Sequence, residues 1–328
     1  MKFRNHSAHG SSRLRVAVGA LATLGAATFF VSSLQARDTD RVAPATPVTA
    51  AARAVSTDNT APDSLPILDS LAGISGKLRA VFLRPSEALE FPMLRRLIHD
   101  TASGPSAASA DAEVHASFTV FQLVPFAAKV HGRIGQYRLG TWPYEHGTPR
   151  NAAYANPRGF IEVTRSNART SVSEHFRLGD FLTKNQATVW PKYLVLRPQL
   201  LDKLELVIED LNAHGIPVRH MAVMSGFRTP EYNAPGVGAG GRAKDSRHQY
   251  GDAADVFVDN DGDGWMDDLN HDGRVDSRDA HVLLDAANRV EAAHPEVVGG
   301  VGVYKATSVH GPFTHIDVRG YRARWGLI

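Results

Sequence analysis

Two imidazoles and a carboxylate, His248, Asp255 and His315, are the residues of this 328-residue chain whose types and spacing best suit chemistry. Mixed nitrogen and oxygen donors suit zinc. Three of them leave a fourth tetrahedral position open to water, the arrangement of a catalytic rather than a structural site. Gly251, Ala253 and Ala254 lie between His248 and Asp255. A helix would bring together residues three or four apart, whereas small residues and a glycine let the backbone fold tightly enough for positions seven apart to meet on one ion. Ala253 to Val258 is apolar apart from Asp255 and reads as a buried strand. A carboxylate there needs a partner, which a metal supplies. The competing account of the His–Asp pair alone is a satisfied core histidine.

A second, chemically different set lies between Asp255 and His315. Asp268, Asn270, Asp272, the Arg274 carbonyl, Asp276 and Asp279 fall at positions 1, 3, 5, 7, 9 and 12 of a calcium loop, with Gly273 at the sharp turn. Just before it, Asp259, Asp261 and Asp263 begin a similar run with Gly264 at position 6, Asp267 at 9 and Asn270 at 12. The two runs overlap, so Asn270 would have to serve both, and the first is the weaker. Oxygen-only donors suit calcium, as imidazoles suit zinc. Without a cation the stretch is a solvated acidic loop. The runs begin nine residues apart with no helix between them, unlike dockerin repeats, so the expectation is a calcium-stabilised insertion over 259–279 rather than a partner-binding module.

The elements that must position these residues are legible around them. Pro198 to His214 carries Leu200, Leu201, Leu204, Val207, Ile208 and Leu211 on one helical stripe, with Pro198 at its start and Gly215 after its end. Val218 to Met224 reads as a buried strand leading into Ser225 and Arg228, Asp279 to Ala293 as a helix, and Gly299 to Tyr304 and His315 to Val318 as strands. Farther upstream, Phe118 to Phe126, Tyr137 to Trp142 and Gly159 to Thr164 are β-rich runs separated by turns, which predicts a small antiparallel unit over 113–172. Its Trp142 and Tyr144 either stack on sugar rings or fill that unit's core.

The start of the chain has another character. Lys2, Arg4, Arg13 and Arg15 precede an apolar run from Val16 to Val31 and small residues up to Ala36, the three-part form of a secretory signal, with an uncleaved anchor as the alternative. Removing 1–36 takes away four positive charges and no negative one, so the formal charge of +2 turns negative and no basic nucleic-acid surface is implied. No stable membrane insertion is expected once the signal is gone. The chain has no cysteine, so export to the periplasm or cell envelope brings no disulfides. Residues 37–112 read as a linker with one short helix, Ser86 to His99, and a Ser/Ala/Gly-rich stretch at Thr101 to Ala112. At 43% apolar composition over its whole length, the chain can bury a sizeable core.

Three motifs in order resemble one family. Ser246-x-His248-x-x-Gly251-x-Ala253-x-Asp255, the later His315-x-Asp317, and the earlier Ser225-x-x-Arg228 with Asn233 look like the zinc D-alanyl-D-alanine carboxypeptidases, which share a fold with lysostaphin-type peptidases and the hedgehog signalling domain. The resemblance spans about Ser173 to Ile328. It implies an α+β domain whose antiparallel sheet carries the ligands, with flanking helices. It also implies a zinc peptidase acting on peptidoglycan stem peptides, as carboxypeptidase or endopeptidase. His248, Asp255 and His315 then correspond to the zinc ligands, Arg228 to a carboxylate or oxyanion binder, and Ser246 and Asp317 to residues behind the ligands. Many relatives place a glutamate three residues before the last histidine, where this chain has Pro312. His310 stands where the carboxypeptidase branch carries its proton-shuttling histidine, a role that an imidazole titrating near neutral pH can fill. The alternatives are a loop histidine at 310, an Arg228–Glu231 ion pair, and a zinc-bearing module that binds peptidoglycan without hydrolysing it.

Overall fold

Among the described residues, alternating apolar residues between glycine-marked turns make a succession of short strands, interrupted by two long helices with apolar stripes. The computed structural model describes residues 53–55, 72–86, 118–239 and 241–326. In chain order these form β1 (Arg53–Val55), β2 (Ala80–Leu83), β3 (Phe118–Gln122), β4 (Val124–Pro125), β5 (Arg133–Ile134), β6 (Tyr137–Arg138), β7 (Gly159–Val163) and β8 (Lys192–Leu194). Then come helix α1 (Pro198–Ala213), β9 (Met221–Ser225), β10 (Ala253–Val258), helix α2 (Ser277–Ala293), β11 (Gly300–Tyr304), β12 (Phe313–Asp317) and β13 (Ala323–Trp325).

The largest sheet has the order β13-β11-β12-β10-β9, antiparallel except for the parallel β11–β13 pair. Smaller sheets join β1-β3-β2, β4-β7-β8 and β5-β6. Helices α1 and α2 pack on each other, and α2 packs on β11 and β12. The fold is therefore α+β, with its sheets mostly antiparallel. Pro198 occupies the first turn of α1, where its missing N–H is not needed, and Gly215 follows the helix with a φ of +77°. Helix α2 starts from a reciprocal cap: the Asp276 side chain accepts from the Arg278 N–H at 2.8 Å, while the Asp276 N–H donates to Asp279 Oδ2 at 2.8 Å.

Three sequence expectations change here. The β-rich unit over 113–172 has no core of its own. Trp142, Phe160 and Leu139 belong to the same continuous buried cluster as Leu204 of α1 and Val256 of β10. Trp142 is buried, and its Nε1 donates to the Gln249 carbonyl at 2.8 Å, so it ties this region to the turn that carries His248 rather than to a sugar. Secondly, residues 72–86 fall inside the stretch read as linker, yet Leu78, Ala80 and Phe82 alternate inward and join the core, and β2 pairs in parallel with β3. Ser75 completes the attachment by donating its N–H and hydroxyl to Asp202 Oδ1 at 3.1 and 2.7 Å. Thirdly, β8 and β13 appear where no strand is expected.

The signal segment 1–36, the helix expected after Ser86 and the Thr101 to Ala112 stretch lie outside the described residues. Among the described residues no helix is long and apolar enough to cross a membrane.

Candidate metal centre

The register of the five-stranded sheet lines up one row of residues across its whole width. Ser225 of β9 pairs with Asp255 of β10, Asp255 with His315 of β12, His315 with Gly302 of β11, and Gly302 with Trp325 of β13. Because side chains alternate between faces, this row projects from one face, while Thr314 and Ile316 of β12 turn to the other. There the Thr314 hydroxyl donates to the Ala280 carbonyl of α2 at 2.8 Å. His248 reaches the row from outside the sheet, on a 3₁₀ turn, Arg247–Tyr250, that ends at Gly251 with a φ of +68°. A Cβ at Gly251 would lie 2.3 Å from the Val195 carbonyl oxygen, so glycine is required there for space as well as conformation.

Three donor atoms meet at this point. His315 Nδ1 lies 2.9 Å from Asp255 Oδ1, His248 Nε2 lies 3.2 Å from the same oxygen, and the two nitrogens are 3.1 Å apart. All three residues are buried. The far side of each imidazole is fixed: His248 Nδ1 donates to the Gly226 carbonyl at 2.7 Å, and His315 Nε2 to Asp317 Oδ2 at 3.1 Å. Each ring therefore turns a lone pair toward the shared point, the usual support of a metal-bound histidine. Burial drives the His248 pKa below its ordinary value against the pull of Asp255. Burial also opposes charge on His315, but Asp255 and Asp317 outweigh it and push that pKa up. Burial alone would raise Asp255, yet His248, His315 and Arg228 hold it well below the usual carboxylate range.

The arrangement fits a tetrahedral zinc ion. Bonds of about 2.0 Å at tetrahedral angles make donor–donor edges of about 3.3 Å, close to the three separations here, so the triangle supplies three of the four donors. Asp317 is held in turn: its carboxylate accepts from the Gly300 N–H at 2.7 Å and from the Arg319 guanidinium, and its backbone carbonyl from Lys203 Nζ at 2.8 Å. Lys203 is fully buried on α1 and also pairs with Glu291 of α2 at 2.6 Å. Both helices thus brace the strand that carries His315.

The remaining candidates are placed as follows. Arg228 pairs with Asp255 Oδ2 and donates from Nε to Ser225 Oγ at 2.8 Å, with its side chain 15% exposed. The alternative Arg228–Glu231 pair is not formed; Glu231 pairs with Arg138 at 3.1 Å. His310 is outside the converging set. Its Nδ1 donates to the Gly311 carbonyl at 2.8 Å, and its ring packs edge-on against Phe313, 5.1 Å away and on the same face of β12 as His315. Ser246 makes no side-chain cap on the 3₁₀ turn; the turn is steadied instead by the buried Arg247–Asp252 pair.

In the acidic insertion the carboxylates of the second run do not gather at one point among the described residues. Asp279 is buried and accepts from Leu269 and Asn270 N–H groups at 2.9 and 3.2 Å in addition to Asp276, while Arg278 pairs with Asp272 at 2.5 Å and Asp276 at 2.8 Å. Capping α2 occupies the residues expected at positions 9 and 12. Asp268, Asn270 and Asp272 accept instead from backbone N–H groups of their own loop. Among the described residues the converging oxygens lie in the first run: Asp259, Asp261 and Asp267. Asp263 turns aside to accept from the Trp265 N–H at 2.7 Å.

Sequence reasoning missed Trp325, whose ring lies 5.1 Å from that of His315, and Tyr304, which receives the Trp325 Nε1–H at 2.9 Å. Gly302 makes room for the indole: a Cβ there would lie 2.1 Å from it. No protein family, curated protein or solved structure matches this chain.

Proposed function

We propose that this chain is an exported zinc metallopeptidase of the hedgehog/DD-peptidase fold type that hydrolyses peptide bonds in peptidoglycan stem peptides. The observation that carries the reading is the convergence of His248 Nε2, Asp255 Oδ1 and His315 Nδ1 on one point, each imidazole backed by a hydrogen-bond acceptor. The order of the three motifs supports the substrate class, and the basic and apolar start of the chain supports export. Zinc held there would bring the pKa of a coordinated water to about 7 and polarise a peptide carbonyl.

The chain's own residues do the rest. Arg228, fixed by Asp255 and Ser225, presents its accessible edge to a substrate carboxylate or to the oxygen that gains charge. His310, on the loop leading into β12, accepts a proton from water and returns it to the leaving amine. In the insertion, Asp259, Asp261 and Asp267 offer hard oxygen donors to a structural calcium ion.

Zinc-loaded protein incubated with muropeptides should release D-alanine or split cross-links, and a chelator should stop it. Unchanged muropeptides at full zinc occupancy would refute hydrolysis. Peptidoglycan binding without products would then favour a zinc-bearing binding module, the reading to which Pro312 in place of a glutamate points.

A further inference from the structure

Tyr304 and Trp325 lie beside the metal centre without belonging to it. Gly302 pairs with both His315 and Trp325, and the Trp325 indole occupies the space that a side chain at Gly302 would need. From there its ring contacts His315, and its Nε1 donates to the Tyr304 hydroxyl at 2.9 Å. Tyr304 pairs with Phe313 across the β11–β12 ladder, and the two rings stack in parallel, with centroids 4.5 Å apart and planes 4° apart. Two contacts, one to the ring face and one to the oxygen, therefore fix where the hydroxyl sits.

That hydroxyl has one proton to give, and receiving a hydrogen bond from Trp325 leaves the proton unused. Among the described residues it donates to no protein acceptor, and Tyr304 is 37% exposed. Burial and the negative charge of Asp255 raise its pKa, while the Trp325 hydrogen bond and the charge of Arg228 oppose this. The phenol is thus a neutral donor within electrostatic reach of a zinc ligand and of the arginine that pairs with it. A fixed neutral donor held through Trp325 beside His315 suits a carbonyl oxygen that gains negative charge during hydrolysis.

We infer that Tyr304 is a further catalytic residue, which donates a hydrogen bond, without proton transfer, to the scissile carbonyl oxygen as it becomes an oxyanion, and that Trp325 is the positioning residue that aims it. The inference rests on the metallopeptidase reading. It divides the work at the centre: Arg228 approaches from the β9 side of the row and Tyr304 from the β11 side, so the reacting carbonyl lies between them.

The test compares the full zinc-loaded chain with Tyr304→Phe and Trp325→Phe, using turnover of a stem peptide and calorimetric binding of a phosphinate analogue of D-alanyl-D-alanine, whose tetrahedral anion imitates the developing oxyanion. Tyr304→Phe should lower kcat roughly 10²-fold, the effect of removing one oxyanion donor, with KM and zinc content unchanged. Phosphinate affinity should fall in parallel, by roughly tenfold or more, while affinity for the uncharged-carbonyl substrate stays within about twofold. Trp325→Phe should give the same pattern at smaller size, because an aromatic ring still stands beside His315 while the aiming bond is lost. Equal phosphinate binding by Tyr304→Phe and the unmodified protein would overturn the inference while leaving the metallopeptidase reading intact. Phosphinate binding that Tyr304→Phe weakens in a protein that hydrolyses nothing would uphold Tyr304 as an anion-facing donor and reject the reaction. No phosphinate binding by the zinc-loaded unmodified protein would overturn both.

Discussion

Asp255 Oδ1 and His315 Nδ1 stand 2.9 Å apart as direct partners across β10 and β12, although 60 residues separate them in sequence. Asp255 divides its two oxygens, one toward both imidazoles and one toward Arg228. Replacing Asp255 by Ala should therefore remove zinc binding and also leave Arg228 without its acceptor. Metal analysis of the purified variant should find zinc near zero against about one ion per unmodified chain, and retained stoichiometric zinc would contradict the ligand assignment.

Asp317 acts one step behind. Asp317→Asn keeps the shape but weakens the support of His315, and should reduce zinc affinity about 10–100-fold, read by competition with a chromogenic chelator. The same residue predicts an acid limit for the metal-free protein. Burial opposes ionisation of Asp317, but its bonds to His315 and Arg319 hold its pKa well below the usual carboxylate range. Its folded pKa is lower than its unfolded pKa, so the unfolded state binds more protons as pH falls; its stabilisation is complete above about pH 4 and declines below it. Denaturant melts at pH 6 and pH 3 should show this loss in the unmodified protein and less of it in Asp317→Asn.

His310→Ala separates proton transfer from metal binding. Zinc content should stay the same while turnover of a stem peptide falls roughly 10²–10⁴-fold. Undiminished turnover would return His310 to the status of a loop histidine.

Lys203 tests the bracing by the helices. Lys203→Met removes a fully buried cation from Glu291 and from the Asp317 carbonyl. Breaking a buried pair in this way should cost about 3 kcal/mol, at the lower end of the usual range because Arg324 still pairs with Glu291 at 2.5 Å. Chemical denaturation measures it, and a change below about 0.5 kcal/mol would mean that α1 braces β12 through apolar packing alone.

Calcium should raise the melting temperature by mass action, and Asp259→Ala with Asp261→Ala should abolish that shift while zinc stays bound. Equal melting temperatures in millimolar calcium and in a calcium-selective chelator would leave the insertion a solvated acidic loop.

Much of the centre was legible because its determinants are local in sequence. Gly251 and the alanines beside Asp255 announce a tight turn into a buried strand, and the stripe from Leu200 to Leu211 announces α1. What was not legible depends on register. Nothing near Trp325 reveals that β13 lies parallel to β11 and sets the indole against Gly302, since that pairing links residues more than twenty positions apart whose side chains carry no common pattern. The acidic runs can be read two ways for a related reason: the spacing of Asp276 and Asp279 is equally that of a helix cap, and both residues cap the following helix. The strand within 72–86 is only four residues long, too short for its pattern to stand out, although Leu78, Ala80 and Phe82 alternate as a strand should.

The placement of the ligands on either side of the insertion has a consequence for how the chain is held together. His248 and Asp255 precede the acidic loops and α2, and His315 follows them, so an ion bound to all three would close a loop of 60 residues as a covalent cross-link does. For a disulfide across a loop of that length, chain entropy alone corresponds to on the order of 4 kcal/mol. In a chain without cysteine, such an ion would be a removable clasp between β10 and β12, whose Val256 and Ile316 already share one core.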